Sequence, residues 1–511
     1  RSLSRLPIVL VAFLTAFALG CGGDARPRSP TAAPAETEPP VPTQTVGLPP
    51  PQAIDWQACG SFQCAEFSVP LDYNQPGAGQ LTLSLMRLPA RNQASRLGTL
   101  FVNPGGPGGS AVDFLRQWAV LVPSEIRERF DLLAFDPRGV GHSSPLRCGV
   151  DVAKFLGLDP APESDEEWRR VEEETEAFTE MCERSAGAAL ATYGTRNVAR
   201  DMDRIRAALG EEKLNYIGYS YGTVIGQVYA DMFPSHIRAM VLDGAVDLSL
   251  DPDERALEQT LGFEAALQRF FAYCRASRCF EIDPADAVRE LFQRTERSPI
   301  PAPSASRPLG QGEAVWGVIG SLYSRFQWPG LANAIEQALD GDGSTMVRLV
   351  DAFWGRHPDG SYDNLLEMNV AVNCLDYAAS RDPGHHRELA DEFEAKAPFL
   401  GRFSAAGNLI CAYWDAVPEP LQPPRGEGAP VILVIGNTGD PATPYKWAVA
   451  LSKQLQSAVL LTNDAEGHTA TFSTFNSCVD GAVTVYLLEL QPPARGRVCG
   501  TAGISPTPAV P

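Results

Sequence analysis

Covalent chemistry in this chain begins with Ser220. It lies in Leu214-Asn215-Tyr216-Ile217-Gly218-Tyr219-Ser220-Tyr221-Gly222, an apolar run followed by G-x-S-x-G and then by a second apolar stretch at 224–233. The pattern predicts a strand, a sharp turn and a helix. Small residues two before and two after the serine let the chain turn tightly enough to expose the hydroxyl as a nucleophile. Such a serine needs a base, and the base needs an orienting carboxylate. Six histidines are available: His142, His236, His357, His385, His386 and His468. Where a serine occupies such a turn, the acid follows it and the histidine comes last. His468, in Glu466-Gly467-His468 after the apolar run 458–463, fits that order. The matching carboxylate is Asp440, in the turn Gly439-Asp440-Pro441 that follows the run 431–435. Asp243, closing the run 239–243, is the alternative acid. His236 reads as a surface residue after a proline, and His385 and His386 as solvated residues.

A second segment suits the same chemistry. The run 99–102 leads into Asn103-Pro104-Gly105-Gly106-Pro107-Gly108-Gly109-Ser110. Backbone N–H groups in such a glycine-rich loop can donate to a developing oxyanion. A phosphate cradle is excluded, because no G-K-[ST] follows and Pro107 has no N–H to give.

These residues must be positioned by regular elements. Short apolar runs at 81–88, 99–103, 132–136, 214–218, 239–243, 431–435 and 458–463 read as strands, most of them covered on both faces. Helical spacing appears at 168–185, 198–209 and after Ser220. Alternating strand and helix implies a mostly parallel α/β sheet. Between 248 and 400 only helical spacing is seen, at 256–272, 285–294, 314–326, 331–339, 365–375 and 386–395. That stretch reads as a helical lid inserted between core segments 52–247 and 401–500.

Composition sets outer bounds. The chain has 511 residues, 44% hydrophobic, with a formal net charge of −20. A sizeable core can be buried, and the acidic balance argues against binding to a nucleic-acid backbone. Residues 1–20 read as a targeting segment, with Arg1 and Arg5 before an apolar stretch. It ends in Ala18-Leu19-Gly20-Cys21, which resembles a bacterial lipobox with leucine and the small residue exchanged. Lipidation of Cys21 would make a lipid anchor the chain's membrane attachment. Residues 21–51 read as a Pro-rich linker and 501–511 as a flexible tail. The chain has 11 cysteines, and setting Cys21 aside leaves an even number, as in disulfide-bridged exported proteins. Chain proximity suggests Cys59–Cys64, Cys274–Cys279 and Cys478–Cys499, then Cys148–Cys182 and Cys374–Cys411. Cysteine pairs with zinc-ligand spacing are lacking, so neither a metal nor another cofactor is expected.

Together, NPGGPGGS at 103–110, FDPRGVGHSS at 135–144, GYSYG at 218–222 and the late NTGDPATP and EGH segments resemble the α/β-hydrolase fold. More narrowly, they resemble the tripeptidyl aminopeptidase and prolyl iminopeptidase group of secreted serine exopeptidases. The resemblance implies Ser220 as nucleophile, Asp440 as orienting acid and His468 as base. It implies an oxyanion hole from the N–H of Tyr221 and one from Gly105 or Gly106. Arg138 would support the loops, not react. Asn103-Pro104 before the glycines departs from the His-Gly-Gly-Pro of many iminopeptidases and favours the tripeptidyl type.

An exopeptidase must also bind a free α-ammonium. Asp376, Glu367 and Glu264 are the lid carboxylates named for that role, Asp376 first because Cys374 could hold it rigid. Trp316, Phe326, Trp328 and Trp354 could line the lid. The expected partners are peptide substrates, and oligomeric state is left open. The alternatives are an esterase or lipase on small esters, and a binding protein on the same scaffold.

Overall fold

The computed structural model describes residues 51–500. Ten strands form one sheet: β1 (Gln57–Cys59), β2 (Phe62–Pro70), β3 (Gln80–Leu88), β4 (Gly98–Asn103), β5 (Phe130–Phe135), β6 (Leu214–Tyr219), β7 (Ile237–Asp243), β8 (Ile432–Gly439), β9 (Ala458–Glu466) and β10 (Val498–Gly500). Their spatial order is β1-β2-β3-β5-β4-β6-β7-β8-β9-β10. β1, β2, β3 and β5 pair antiparallel, and every pairing from β5–β4 to β9–β10 is parallel.

The apolar runs explain why the parallel strands are central. Leu100, Val102, Leu132, Ala134, Ile217, Ala239, Val241, Leu433 and Ile435 face one helical layer. Their neighbours Phe101, Leu133, Phe135, Tyr216, Met240, Leu242, Ile432 and Val434 face the other. Side chains alternate along a strand, so a continuous apolar run satisfies both layers at once. The expected strands are all present. β1, β2 and β10 were not foreseen: β2 alternates buried with exposed residues, and β1 and β10 are three residues long.

The insertion is built of helices, with two isolated β-bridges, Ile300 with Leu309 and Arg356 with Tyr362, in its loops. It opens with Pro252–Ser277, whose start is fixed by a capping box between Asp251 and Glu254 and by Pro252 in the first turn. Its helices enclose their own core around Phe270, Leu291, Val318, Leu331 and Ile335. Helix continues past the expected boundary at 400, through Gly401–Ala405 and Leu409–Ala412, before β8. The helix Ser344–Phe353 was not foreseen. Five disulfides join Cys59–Cys64, Cys148–Cys182, Cys274–Cys279, Cys374–Cys411 and Cys478–Cys499, the pairs suggested by chain proximity. Such bridges persist in oxidising compartments and fit an exported chain. Among the described residues no helix is long and apolar enough to cross a membrane. Cys21, the targeting segment, most of the linker and the tail lie outside the described residues.

Candidate active site

Ser220 follows β6 and precedes the helix Tyr221–Met232, as the sequence predicts. Its φ is 53° and its ψ −124°, a strained backbone for a residue with a side chain. The flanking glycines make the turn possible. A Cβ at Gly218 would lie 2.3 Å from the carbonyl oxygen of Gly222, and one at Gly222 would lie 2.6 Å from that of Asn103. The turn is held by the Ser220 N–H donating to the Asp243 carbonyl at 2.9 Å and by Thr223 Oγ1 donating to the Ser220 carbonyl at 2.6 Å. The Ser220 Oγ is buried, with no hydrogen-bond partner among the described residues.

Asp440 and His468 meet directly. The His468 Nδ1 lies 2.9 Å from each carboxylate oxygen of Asp440. Asp440 is itself fixed: Oδ1 accepts from the N–H groups of Ala442 and Thr443, and Oδ2 from the Thr443 hydroxyl, all at 2.9 Å. The D-P-A-T sequence thus folds into a turn around its own aspartate.

Asp243 takes a different role from the alternative acid considered above. Its Oδ2 accepts from the N–H groups of Ala470 at 3.0 Å and Thr471 at 2.6 Å, just past His468. The next residue, Gly244, lies so near the imidazole that a Cβ there would sit 3.0 Å from His468 Cε1. Through its carbonyl and its carboxylate, Asp243 joins the serine turn to the histidine loop. Burial pushes its carboxyl up, against the pull of those N–H donors.

Other residues that hold His468 were not foreseen. Asn437 Nδ2 donates to the carbonyls of Gly467 at 2.8 Å and Thr469 at 2.9 Å, gripping both sides of the histidine. Asn437 Oδ1 accepts from Asn463, which accepts in turn from Asn476. The lid contributes Tyr323, whose carbonyl accepts the His468 N–H at 2.9 Å and whose ring packs edge-on to the imidazole. An asparagine or tyrosine carries no such signal in sequence. Only the D-P-A-T turn could have pointed to Thr443.

At the oxyanion loop the two glycines differ in their surroundings. The Gly105 N–H donates to Asn103 Oδ1 at 2.9 Å, so it is already engaged within the loop. Gly105 instead supplies close approach. At φ +100°, a Cβ there would lie 2.6 Å from the Tyr219 carbonyl oxygen and 2.9 Å from the Tyr221 nitrogen. Arg138 supports loops, as expected: it pairs with buried Asp201 through two bonds and donates to the carbonyls of Pro70, Leu71 and Thr192.

The carboxylates proposed for ammonium binding need correction. Asp376 is buried, and its oxygens accept from the Thr195 N–H at 2.9 Å and from the Thr195 hydroxyl. It serves the start of the helix Thr195–Ala208, and burial raises it to about 6. Glu264 accepts from the N–H groups of Phe399 and Leu400 within the lid. Glu367 is buried, its Oε2 lacks a partner among the described residues, and burial pushes it up to about 7. His385 and His386 are buried in the lid, not solvated, and burial lowers His386 to about 4. His236 is half-exposed against Asp203. Trp328 belongs to the lid core, while Trp316 and Trp354 line an apolar cavity of about 150 Å³.

Two clefts flank the site. One, of about 190 Å³, is walled by Trp118, Tyr219, Tyr323, Phe326, His468 and Phe475 among others. The second borders the oxyanion loop at Gly108–Ser110 and carries charged groups, including Asp113, Arg147 and Asp363. Phe114 and Gln117 line both.

A strained serine on a strand-to-helix turn, with a buried aspartate–histidine pair on neighbouring strand ends, defines a serine hydrolase. Comparison with known proteins agrees. Residues 98–321 match the family model for the α/β hydrolase fold, and residues 397–499 match that for TAP-like protein. Serine protease Hip1 of Mycobacterium tuberculosis is 37% identical over 481 residues, covering 88% of this chain and 91% of that protein. Carboxylesterase B of the same species is 37% identical over 525 residues, covering 95% and 97%. Tripeptidyl aminopeptidase of Streptomyces lividans is 32% identical over 481 residues, covering 87% and 86%. The chain belongs to the α/β-hydrolase family, in the group that includes the tripeptidyl aminopeptidases.

Proposed function

We propose that the protein is an exported serine peptidase that cleaves short peptides from free N-termini through Ser220, His468 and Asp440. The observation that carries this reading is the buried Asp440–His468 pair, joined to Ser220 through Asp243 and Gly244, in a segment that matches the TAP-like family model. In the cycle, His468 takes the proton of Ser220 as its Oγ attacks the scissile carbonyl carbon. The carbonyl oxygen becomes an oxyanion held by the N–H groups of Tyr221 and Gly106. His468 then protonates the departing amine, the C–N bond breaks, and an acyl-enzyme remains. Water repeats the path and frees the acyl group. Asp440 holds the imidazole with its proton on Nδ1, which leaves Nε2 to accept.

A free α-ammonium calls for a carboxylate in a cleft. Asp113 and Asp363 line the cleft beside the oxyanion loop, whereas Asp376 and Glu264 are committed to backbone N–H groups. Export with a lipid anchor at Cys21 rests on the lipobox-like segment and the five disulfides.

Carboxylesterase B, as similar to this chain as Hip1, favours a second reading: ester hydrolysis with the same residues. One comparison separates the two. Hydrolysis of a peptide amide with a free N-terminus, the same amide N-acetylated, and a simple aryl ester is measured. The peptidase reading expects the free peptide to be preferred over the acetylated one, and equal rates on both sink it.

A further inference from the structure

The two clefts differ in chemistry, and the difference assigns a direction to the substrate. The acid step requires the leaving atom within about 3 Å of the base nitrogen. Whatever follows the scissile bond therefore passes into the space walled by His468. That space is the aromatic cleft. Of the nine large apolar side chains that stand exposed among the described residues, Leu121, Phe326 and Phe475 line it. Phe326 is 72% exposed and comes from the lid, while Phe475 is 79% exposed and comes from the core loop past His468. Large apolar side chains converging from separate elements on one cleft mark a binding surface.

Charge supports the same assignment. Apart from His468, the acidic and basic side chains lining this cleft are Arg325 and Glu466. Glu466 is paired with Arg269 of the lid at 2.6 Å, so its charge is already met. The cleft beside the oxyanion loop instead carries Asp113, His142, Arg147, His357 and Asp363. We propose that the aromatic cleft is the leaving-group subsite, and that Phe326 and Phe475 select substrates with a large apolar residue directly after the cleaved bond. The proposal rests on Ser220 and His468 being the reacting pair.

The test is a set of peptides with one common acyl part and Phe, Leu, Ser or Asp after the cleaved bond, with fluorophosphonate labelling run in parallel. Covering one phenyl ring predicts a preference of at least about tenfold in kcat/KM for Phe and Leu over Asp. Phe326→Ala with Phe475→Ala collapses that ratio toward one. Val417→Ala, an exposed apolar side chain that does not line the cleft, keeps it. Phe326→Asp shifts the preference toward a lysine after the bond. A labelled enzyme with no preference, or a double variant that keeps the full ratio, overturns the subsite alone. Absence of both labelling and hydrolysis in the wild type overturns the serine-hydrolase reading, and the subsite with it.

Discussion

Two aspartates compete for the acid role, and their hydrogen bonds make opposite forecasts for the same substitution. In Asp440→Asn, the Oδ1 position is held by two N–H donors, from Ala442 and Thr443, so the amide oxygen settles there. The amide NH₂ then takes the place of Oδ2 and points at His468 Nδ1 and Thr443 Oγ1. An NH₂ facing Nδ1 selects the imidazole tautomer with its proton on Nε2, which cannot accept from Ser220. The expected loss in kcat is about 10⁴-fold, or roughly 5 kcal/mol of transition-state stabilisation, with KM little changed. In Asp243→Asn, the two N–H donors of Ala470 and Thr471 converge on Oδ2, and an amide oxygen placed there keeps both bonds. Its expected loss is under about tenfold. Asp243→Ala strands both N–H groups, at about 1–3 kcal/mol each, and loosens the histidine loop. Steady-state kcat and KM on a peptide amide, with thermal melting to confirm folding, decide the matter. If Asp243→Asn falls as far as Asp440→Asn, or Asp440→Asn keeps a tenth of wild-type kcat, the acid has been misassigned.

Further outcomes are expected. Burial raises the Glu367 carboxyl from 4.5 to about 7, so the folded state binds the extra proton across that window and stability falls as pH rises through it. Glu367→Gln removes that dependence, and its stability advantage in denaturant unfolding grows from pH 4 to pH 8 toward about 3 kcal/mol, whereas a pH-independent gap refutes the reasoning. Arg138→Ala leaves the buried Asp201 without its ion-pair partner and costs about 3–5 kcal/mol in denaturant unfolding. Replacing Cys374 and Cys411 together by alanine opens a loop with a sequence separation of 37 and lowers stability by about 2–4 kcal/mol, read against the disulfide-intact wild type. Gly105→Ala pushes a Cβ against the serine turn and lowers kcat by about 10²–10³-fold, with substrate binding less affected.

The sequence by itself determined the sheet's parallel strands, the serine turn and the glycine loop, and it singled out Asp440 and His468 as candidates with Asp243 as the rival acid. These signals are local: apolar runs covered on both faces, small residues around a tight turn, an aspartate in a proline turn. The outer strands β1, β2 and β10 were illegible because β1 and β10 are short and β2 alternates, so none forms a long apolar run. Tertiary structure alone decided which carboxylates are committed to backbone N–H groups and which line a cleft. Asp376 and Glu264 differ from Asp113 and Asp363 only in what folds against them, and a carboxylate's hydrogen-bond partners come from residues far away in the chain. The same holds for Asp243, which could serve either as acid or as brace until residues 470 and 471 were placed over it. Gly105 and Gly106 were equivalent as letters. Only the fold, by turning Asn103 back onto the first, distinguishes them.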